Sequence, residues 1–143
     1  MVADTSIGYS GTPLPQKLGF KDGHKVLFID LPESLLGLTT SRAFAEVQRQ
    51  GWDEISGQGF DAIHLFATLR AQLEDKINAL MGMIARDGMI WVSWPKKASR
   101  MPTDITEDVI RDVVLPIGLV DVKVCAVDEK WSGLKLMIRK QLR

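Results

Sequence analysis

The residues best suited to chemistry gather in two short segments. Trp94-Pro95-Lys96-Lys97, with Arg100 three residues on, sets three cations behind an aromatic ring. Such a group can hold a phosphate or carboxylate through charge-assisted hydrogen bonds, helped by a helix start near Asp104. A lysine pair after a proline is equally well explained as solvated loop, because charge runs usually are. Farther along, Asp128-Glu129-Lys130-Trp131-Ser132 puts adjacent carboxylates beside a second tryptophan. These acids can serve as acid and base or bind a cation. Neighbouring carboxylates alone lack catalytic geometry, so the favoured reading pairs them with Lys96, Lys97 or Lys130 to order the loops. Trp94 and Trp131 can stack on a flat ligand, whereas core packing is the plainer role and the one assigned to Trp91.

The remaining reactive side chains point to structure. His64 lies within an apolar run, where a satisfied core histidine is expected, and His24 precedes the first strand. Cys125, the single cysteine, lies inside another run and reads as a small hydrophobe. It cannot form an internal disulfide, and no Cys/His spacing suggests zinc. No serine or cysteine has a histidine partner by spacing, so nucleophilic hydrolysis lacks support. No Gly-Lys phosphate loop is present, and the six methionines are scattered.

Composition narrows the classes further. The chain has 143 residues, enough for one domain, with hydrophobic and charged fractions of 45% and 25% that exclude disordered or fibrous types. Eighteen basic residues balance eighteen acidic ones, so no global field draws nucleic acid or an anionic membrane. No apolar run is long enough to span a bilayer, and Met1 to Gly23 lacks a signal-peptide core. A cytoplasmic location is expected.

Stepping along the chain, residues 1–24 read as an arm rich in Gly, Ser, Thr and Pro, with Pro13 and Pro15 favouring extended or turn backbone and a short helical turn ending at Gly19. Ser10, Thr12 and Lys17 can bring this arm over a ligand site or over a sheet edge. Residues 25–143 form the domain. Lys25 to Asp30, Asp61 to Ala67 and Met89 to Trp94 are short apolar runs of the buried-strand kind. A helix opened by Pro32-Glu33-Ser34 fades at Gly37; Ser41 to Gln50 fits helix or strand; Gly51 to Gly59 is loop. Leu69, Leu73, Ile77, Leu80 and Ile84 recur at helical spacing, predicting a helix that stops at Asp87-Gly88. Asp104 and Glu107 form a capping pair for a helix through Ile105, Val109, Val113 and Ile117, ended or kinked by Pro116. Two strands follow, 119–127 and 134–140, joined by a tight connection.

Strand–helix–strand alternation implies a parallel sheet with right-handed crossovers, and the last strand, lacking an intervening helix, must run antiparallel. From Lys25 onward this three-layer α/β pattern resembles the Rossmann-like methyltransferases, as does Gly23-His24-Lys25-Val26-Leu27 leading into the first strand. The resemblance implies an S-adenosylmethionine site built on a glycine-rich turn after the first strand and an acidic residue after the second. Here the first strand runs into Ile29-Asp30-Leu31-Pro32-Glu33-Ser34-Leu35-Leu36-Gly37, with proline and leucines where glycine is expected, and no such acidic residue can be placed. Four further blocks, Tyr9 to Gly19, Trp94 to Ser99, Thr103 to Asp108 and Gly118 to Gly133, resemble a bacterial family defined as a domain of unknown function, which implies no activity.

Ligands in open α/β sheets bind beyond the carboxyl ends of the strands. That edge should carry Asp30, Thr68, Arg70, Trp94, Lys96, Lys97, Arg100, Asp128, Glu129, Trp131 and Ser132. The main expectation is a non-catalytic domain holding a small anionic ligand or a partner protein there. One alternative is a methyltransferase-like enzyme with an atypical S-adenosylmethionine site. Another is a homo-oligomeric module joined through strand 119–127, where Asp121 and Lys123 alternate with valines. No metal site and no catalytic residue are assigned, and membranes and nucleic acid are not expected partners.

Overall fold

The computed structural model describes residues 12–143, so Ser10 and the rest of Tyr9–Gly11 lie outside the described residues. In chain order the elements are α1 (Leu14–Leu18), β1 (Lys25–Ile29), a 3-10 helix (Glu33–Thr40), β2 (Glu46–Gln50), β3 (Phe60–Phe66), α2 (Arg70–Met81), β4 (Ile84–Pro95), α3 (Glu107–Val114), β5 (Leu119–Ala126) and β6 (Trp131–Ile138). The strands form one six-stranded sheet in the order β2-β1-β3-β4-β6-β5. Strands β1 to β4 pair in parallel, and β6 runs antiparallel to both β4 and β5. This is the mixed α/β arrangement expected from the alternation of strands and helices. Among the described residues no helix is long and apolar enough to cross a membrane.

The central strands are continuous apolar runs because both of their faces are covered. On one face α2 and α3 set Leu73, Ile77, Leu80, Ile110 and Val114 against Leu27, Ile63, Leu65, Val92 and Leu134. Among the described residues the other face is covered more thinly. Leu14, Leu18 and Phe20 from α1 and its exit, with Leu35 and Leu38 from the 3-10 helix, pack on Val26, Phe28, Phe66 and Trp91. Trp91, fully buried, donates its indole N–H to the Leu18 carbonyl at 2.8 Å, which ties α1 to the middle of the sheet. Both prolines lie at the start of α1, where a missing N–H removes no intrahelical bond; the segment expected to be extended or turned is therefore helical. Gly19, in left-handed conformation, ends it.

Several local boundaries differ from those expected, the last strand among them, which begins at Trp131 and ends at Ile138. The ambiguous stretch 41–50 ends in a strand, β2, which pairs with β1 along the sheet edge. Helix α2 ends at Met81 rather than at Asp87-Gly88, and β4 begins at Ile84, because Ile84 pairs with Phe60. Gly88 belongs to an irregularity in that ladder. A Cβ there would lie 3.0 Å from the Ala85 and Asp61 carbonyls, so the close backbone approach favours glycine. Asp104 and Glu107 do not cap α3 as a pair. Thr106 is the N-cap, its hydroxyl accepting from the Val109 amide at 3.1 Å. At the far edge β5 carries a second irregularity, between Asp121 and Lys123, with Val122 and Val124 each 51% exposed.

His64 lies in the centre of the thinly covered face, stacked on Phe66 at 4.4 Å and close to Phe20 and Phe28. Its Nε2 shares a 2.7 Å hydrogen bond with the buried Ser93 hydroxyl, while Nδ1 has no partner among the described residues, so the core histidine is half satisfied there. Burial pushes its pKa down to about 3. Because the folded-state value lies below the unfolded one, the unfolded chain takes up the proton first and stability falls as pH drops below about 6.5. Urea titrations at pH 7.5 and pH 5 should differ by about 2 kcal/mol from this group alone, and His64→Asn should remove most of that difference.

Candidate functional site

Strand register places the carboxyl ends of β1, β3 and β4 on one edge, with Ile29 beside Leu65, Leu65 beside Val92 and Ser93 beside Gly133. Because β6 is antiparallel, its first residue lies on the same edge, with Trp131 beside Pro95 and Ser132 beside Trp94. The two remote loops are hydrogen-bonded neighbours: the Lys96 amide donates to the Lys130 carbonyl at 2.8 Å. Lysine turn and acidic turn therefore share one rim.

Each loop is held by identifiable bonds. The half-buried Asp128 carboxylate accepts from the Lys130 and Trp131 amides, both at 2.8 Å, and so closes the β5–β6 turn. It orders the loop through backbone donors, where lysine partners were expected. Glu129 and Lys97 are exposed and Lys96 is half-buried. Beyond Lys96 the chain makes a 3-10 turn, with the Ser99 hydroxyl donating to the Lys96 carbonyl at 2.6 Å, and leaves through Arg100 at φ +60°. Arg100 is exposed. The loop then joins the β3–α2 turn. Thr103 Oγ donates to the Thr68 carbonyl at 2.7 Å, and Asp104 accepts the Arg70 amide at 2.7 Å, so Asp104 serves α2. Arg70 is engaged with Glu74 and Asp112.

The two tryptophans lie on opposite faces of the sheet, with Trp94 in the α2/α3 core and Trp131 edge-on to Phe66 at 5.1 Å in the other. Both are more than nine-tenths buried, so they anchor the rim from beneath and do not form a joint stacking platform. Lys17 is drawn toward β5, donating from Nζ to the Ala126 carbonyl at 3.2 Å.

At the other end of the rim stands Asp30, immediately after β1. It is exposed, with φ +57°, and its amide donates to the Gln50 carbonyl at 2.9 Å. A non-glycine residue in that region is uncommon, which makes the turn a specific one. Its carboxylate has no hydrogen bond or ion pair among the described residues. Asp30 and Thr68 flank the place where the chain reverses its course through the sheet: β1 leads outward to β2, and β3 leads the opposite way to β4. In open α/β sheets this switch point is the ordinary ligand crevice.

Sequence spacing gave no sign of the Ser93–His64 pair, because the two residues meet only through the β3–β4 ladder, one strand apart. Both are sealed in the core and the imidazole's proton affinity is low, so the pair is not a nucleophile and base. Among the described residues no group of three or more His, Cys, Asp or Glu could hold a metal.

No family model matches the sequence, and no curated protein matches it. Solved structures do. The chain is similar to the magnesium protoporphyrin IX methyltransferase of Synechocystis PCC 6803 with bound S-adenosylmethionine, at 12% identity and a TM-score of 0.58, covering 87% of this chain and 74% of that one. It is also similar to a TehB-like S-adenosylmethionine-dependent methyltransferase of Corynebacterium glutamicum ATCC 13032, at 13% identity and a TM-score of 0.55, covering 87% and 85%. These likenesses establish a Rossmann-like methyltransferase fold. The likeness of the four sequence blocks to the domain-of-unknown-function family rests on those residues alone.

The usual S-adenosylmethionine cradle does not fit the residues present. No glycine occurs between Asp30 and Leu36, and Pro32 fixes the turn. At the end of β2 the position expected to be acidic is Gln50, whose amide is taken up by Gln48 and by the backbone of Ser56.

The bonds made by Asp128 generate a stability test. Asp128→Ala leaves two amides without their acceptor and should lower unfolding stability by roughly 1–3 kcal/mol, whereas Asp128→Asn, which keeps an acceptor oxygen, should retain most of it. Denaturant titrations of the three proteins make the comparison.

Proposed function

We propose that this chain is a methyltransferase-type domain that binds an S-adenosyl ligand in an atypical mode, in the crevice between the carboxyl ends of β1 and β3. The observation that carries the reading is the topological switch point, in a mostly parallel sheet whose fold is similar to that of the methyltransferase structures. The step from fold to ligand is one of analogy. What the crevice offers supports it. The exposed Asp30 carboxylate can accept from vicinal hydroxyls of a ribose, and Leu69, 51% exposed just beyond β3, supplies apolar surface for a base. Without the glycine turn, contact to the ligand passes through side chains in place of close backbone approach.

A second reading, favoured by that missing turn, is a non-catalytic domain whose rim of Lys96, Lys97 and Arg100 holds a small anion or a partner protein. Calorimetric titration with S-adenosylmethionine and S-adenosylhomocysteine separates the two. The first reading expects saturable binding, a thermal stabilisation that approaches ~2.7 kcal/mol at a hundredfold excess over Kd, and roughly tenfold weaker binding in Asp30→Ala. Absence of binding by either compound at millimolar concentration removes that reading. The rim reading then stands on whether Lys96→Ala/Lys97→Ala abolishes binding of an anion that the parent protein holds.

A further inference from the structure

The amino-terminal edge of the sheet, opposite the rim, carries a cleft of about 310 Å3 whose lining includes Lys21, His24, Asp61, Asp87 and Lys135, together with Met89 and Met137. In the β5–β6 ladder Lys135 stands directly opposite Lys123. Like charges facing each other across antiparallel strands destabilise a sheet. Lys123 is held in place, because its ammonium donates to the Lys17 carbonyl at the end of α1, at 3.0 Å. Lys135 is half-buried, its other cross-strand neighbour is the fully buried Trp91, and its ammonium has no hydrogen bond or ion pair among the described residues. Burial, then the charges of Lys123 and Lys21, push the Lys135 pKa below the usual lysine value. A methionine or threonine would fill this β position without these costs.

The acids of the cleft do not relieve the lysines. Asp61 is engaged by the Lys25 amide at 2.8 Å, and Asp87, exposed in the irregular part of β4 before Gly88, opposes any anion that approaches from its side. His24 is turned into the local structure, its Nδ1 accepting from the Lys21 amide at 3.3 Å. The cleft thus has one cationic wall, formed by Lys21 and Lys135 and backed by Lys123.

We propose that this cleft is a second binding site, independent of the rim, which takes the phosphate group of a small phosphorylated molecule between Lys21 and Lys135. The cleft lining carries two lysines and two aspartates, but neither aspartate forms an ion pair with Lys21 or Lys135, and Lys123 adds a third ammonium behind them. On the lysine wall a phosphate compensates these charges better than a single carboxylate does. Lysines suit this role as compact point charges. The volume lies at the lower end of small-molecule pockets and admits a phosphorylated metabolite of modest size. An unliganded Lys123–Lys135 pair is then a cost to the fold that ligand binding offsets.

The site is tested with inorganic pyrophosphate as the probe, by calorimetry and thermal unfolding at low ionic strength against sodium chloride of matched ionic strength. Parent protein should bind the probe and be stabilised by it beyond the salt control. Lys135→Met should raise the unfolding midpoint without the probe and bind it roughly tenfold more weakly. Lys21→Ala, on an exposed side chain, should weaken binding in the same way, and Lys130→Met, on the rim, should leave it unchanged. S-adenosyl ligand binding, where present, should be indifferent to all three. The proposal is overturned if pyrophosphate stabilises no more than chloride does, if Lys21→Ala and Lys135→Met bind as the parent does, or if Lys130→Met loses as much as they do. Binding of an oligothymidylate without binding of pyrophosphate would also overturn it, by making the lysines a phosphodiester track in place of a pocket.

Discussion

Strand β6 runs against its neighbours on both sides, and the geometry of the molecule follows from that reversal. An antiparallel ladder leaves no freedom of direction: with Pro95 beside Trp131, the turn after β4 and the turn before β6 must lie together. Lysines and carboxylates distant in sequence are thereby set on one rim, and the polar groups of that rim close the two turns. A parallel β6 would have carried its first residues to the other pole, separating the Lys96 and Asp128 loops.

Among the described residues the two faces of the sheet are built unequally. One has two amphipathic helices, including α2 with three buried side chains, and resembles the covering of an ordinary three-layer domain. The other relies on a five-residue helix and a 3-10 helix, and compensates with aromatic packing of Phe20, Phe28, Phe66 and His64 and with the Trp91–Leu18 hydrogen bond. The face with less helix holds the half-satisfied histidine, so the thin layer and the acid sensitivity coincide in space.

Much of this was legible in the residues. Runs such as Val26 to Ile29 and Ala62 to Phe66 point to buried parallel strands, because they are largely apolar without alternation and too short for a helix. Helix α2 was legible through its 3.6-residue spacing, but its end was not: Ile84 continues the helical period and still goes to β4, since ladder pairing with Phe60 outweighs local propensity. Strand β2 carries Glu46, Gln48, Arg49 and Gln50, a polar edge whose strand character comes only from its pairing with β1. The neighbourhood of the rim followed from topology, whereas the use of each side chain did not. Asp104 looked like a cap for the helix after it and caps the one before it in space; Asp128 serves backbone amides. Lone hydrogen-bond choices of this kind depend on three-dimensional neighbours that spacing does not encode.

The irregularity in β5 bears on how the sheet ends. Val122 and Val124 give that border an apolar outer surface, the kind that invites another chain to add itself. The displaced residue between Asp121 and Lys123 breaks the regular repeat of donors and acceptors, so an incoming strand would find only a short matching stretch. On the opposite border β2 presents Glu46 and Arg49, charges that discourage the same event. The six-stranded sheet thus ends on an irregular strand on one side and on a charged strand on the other.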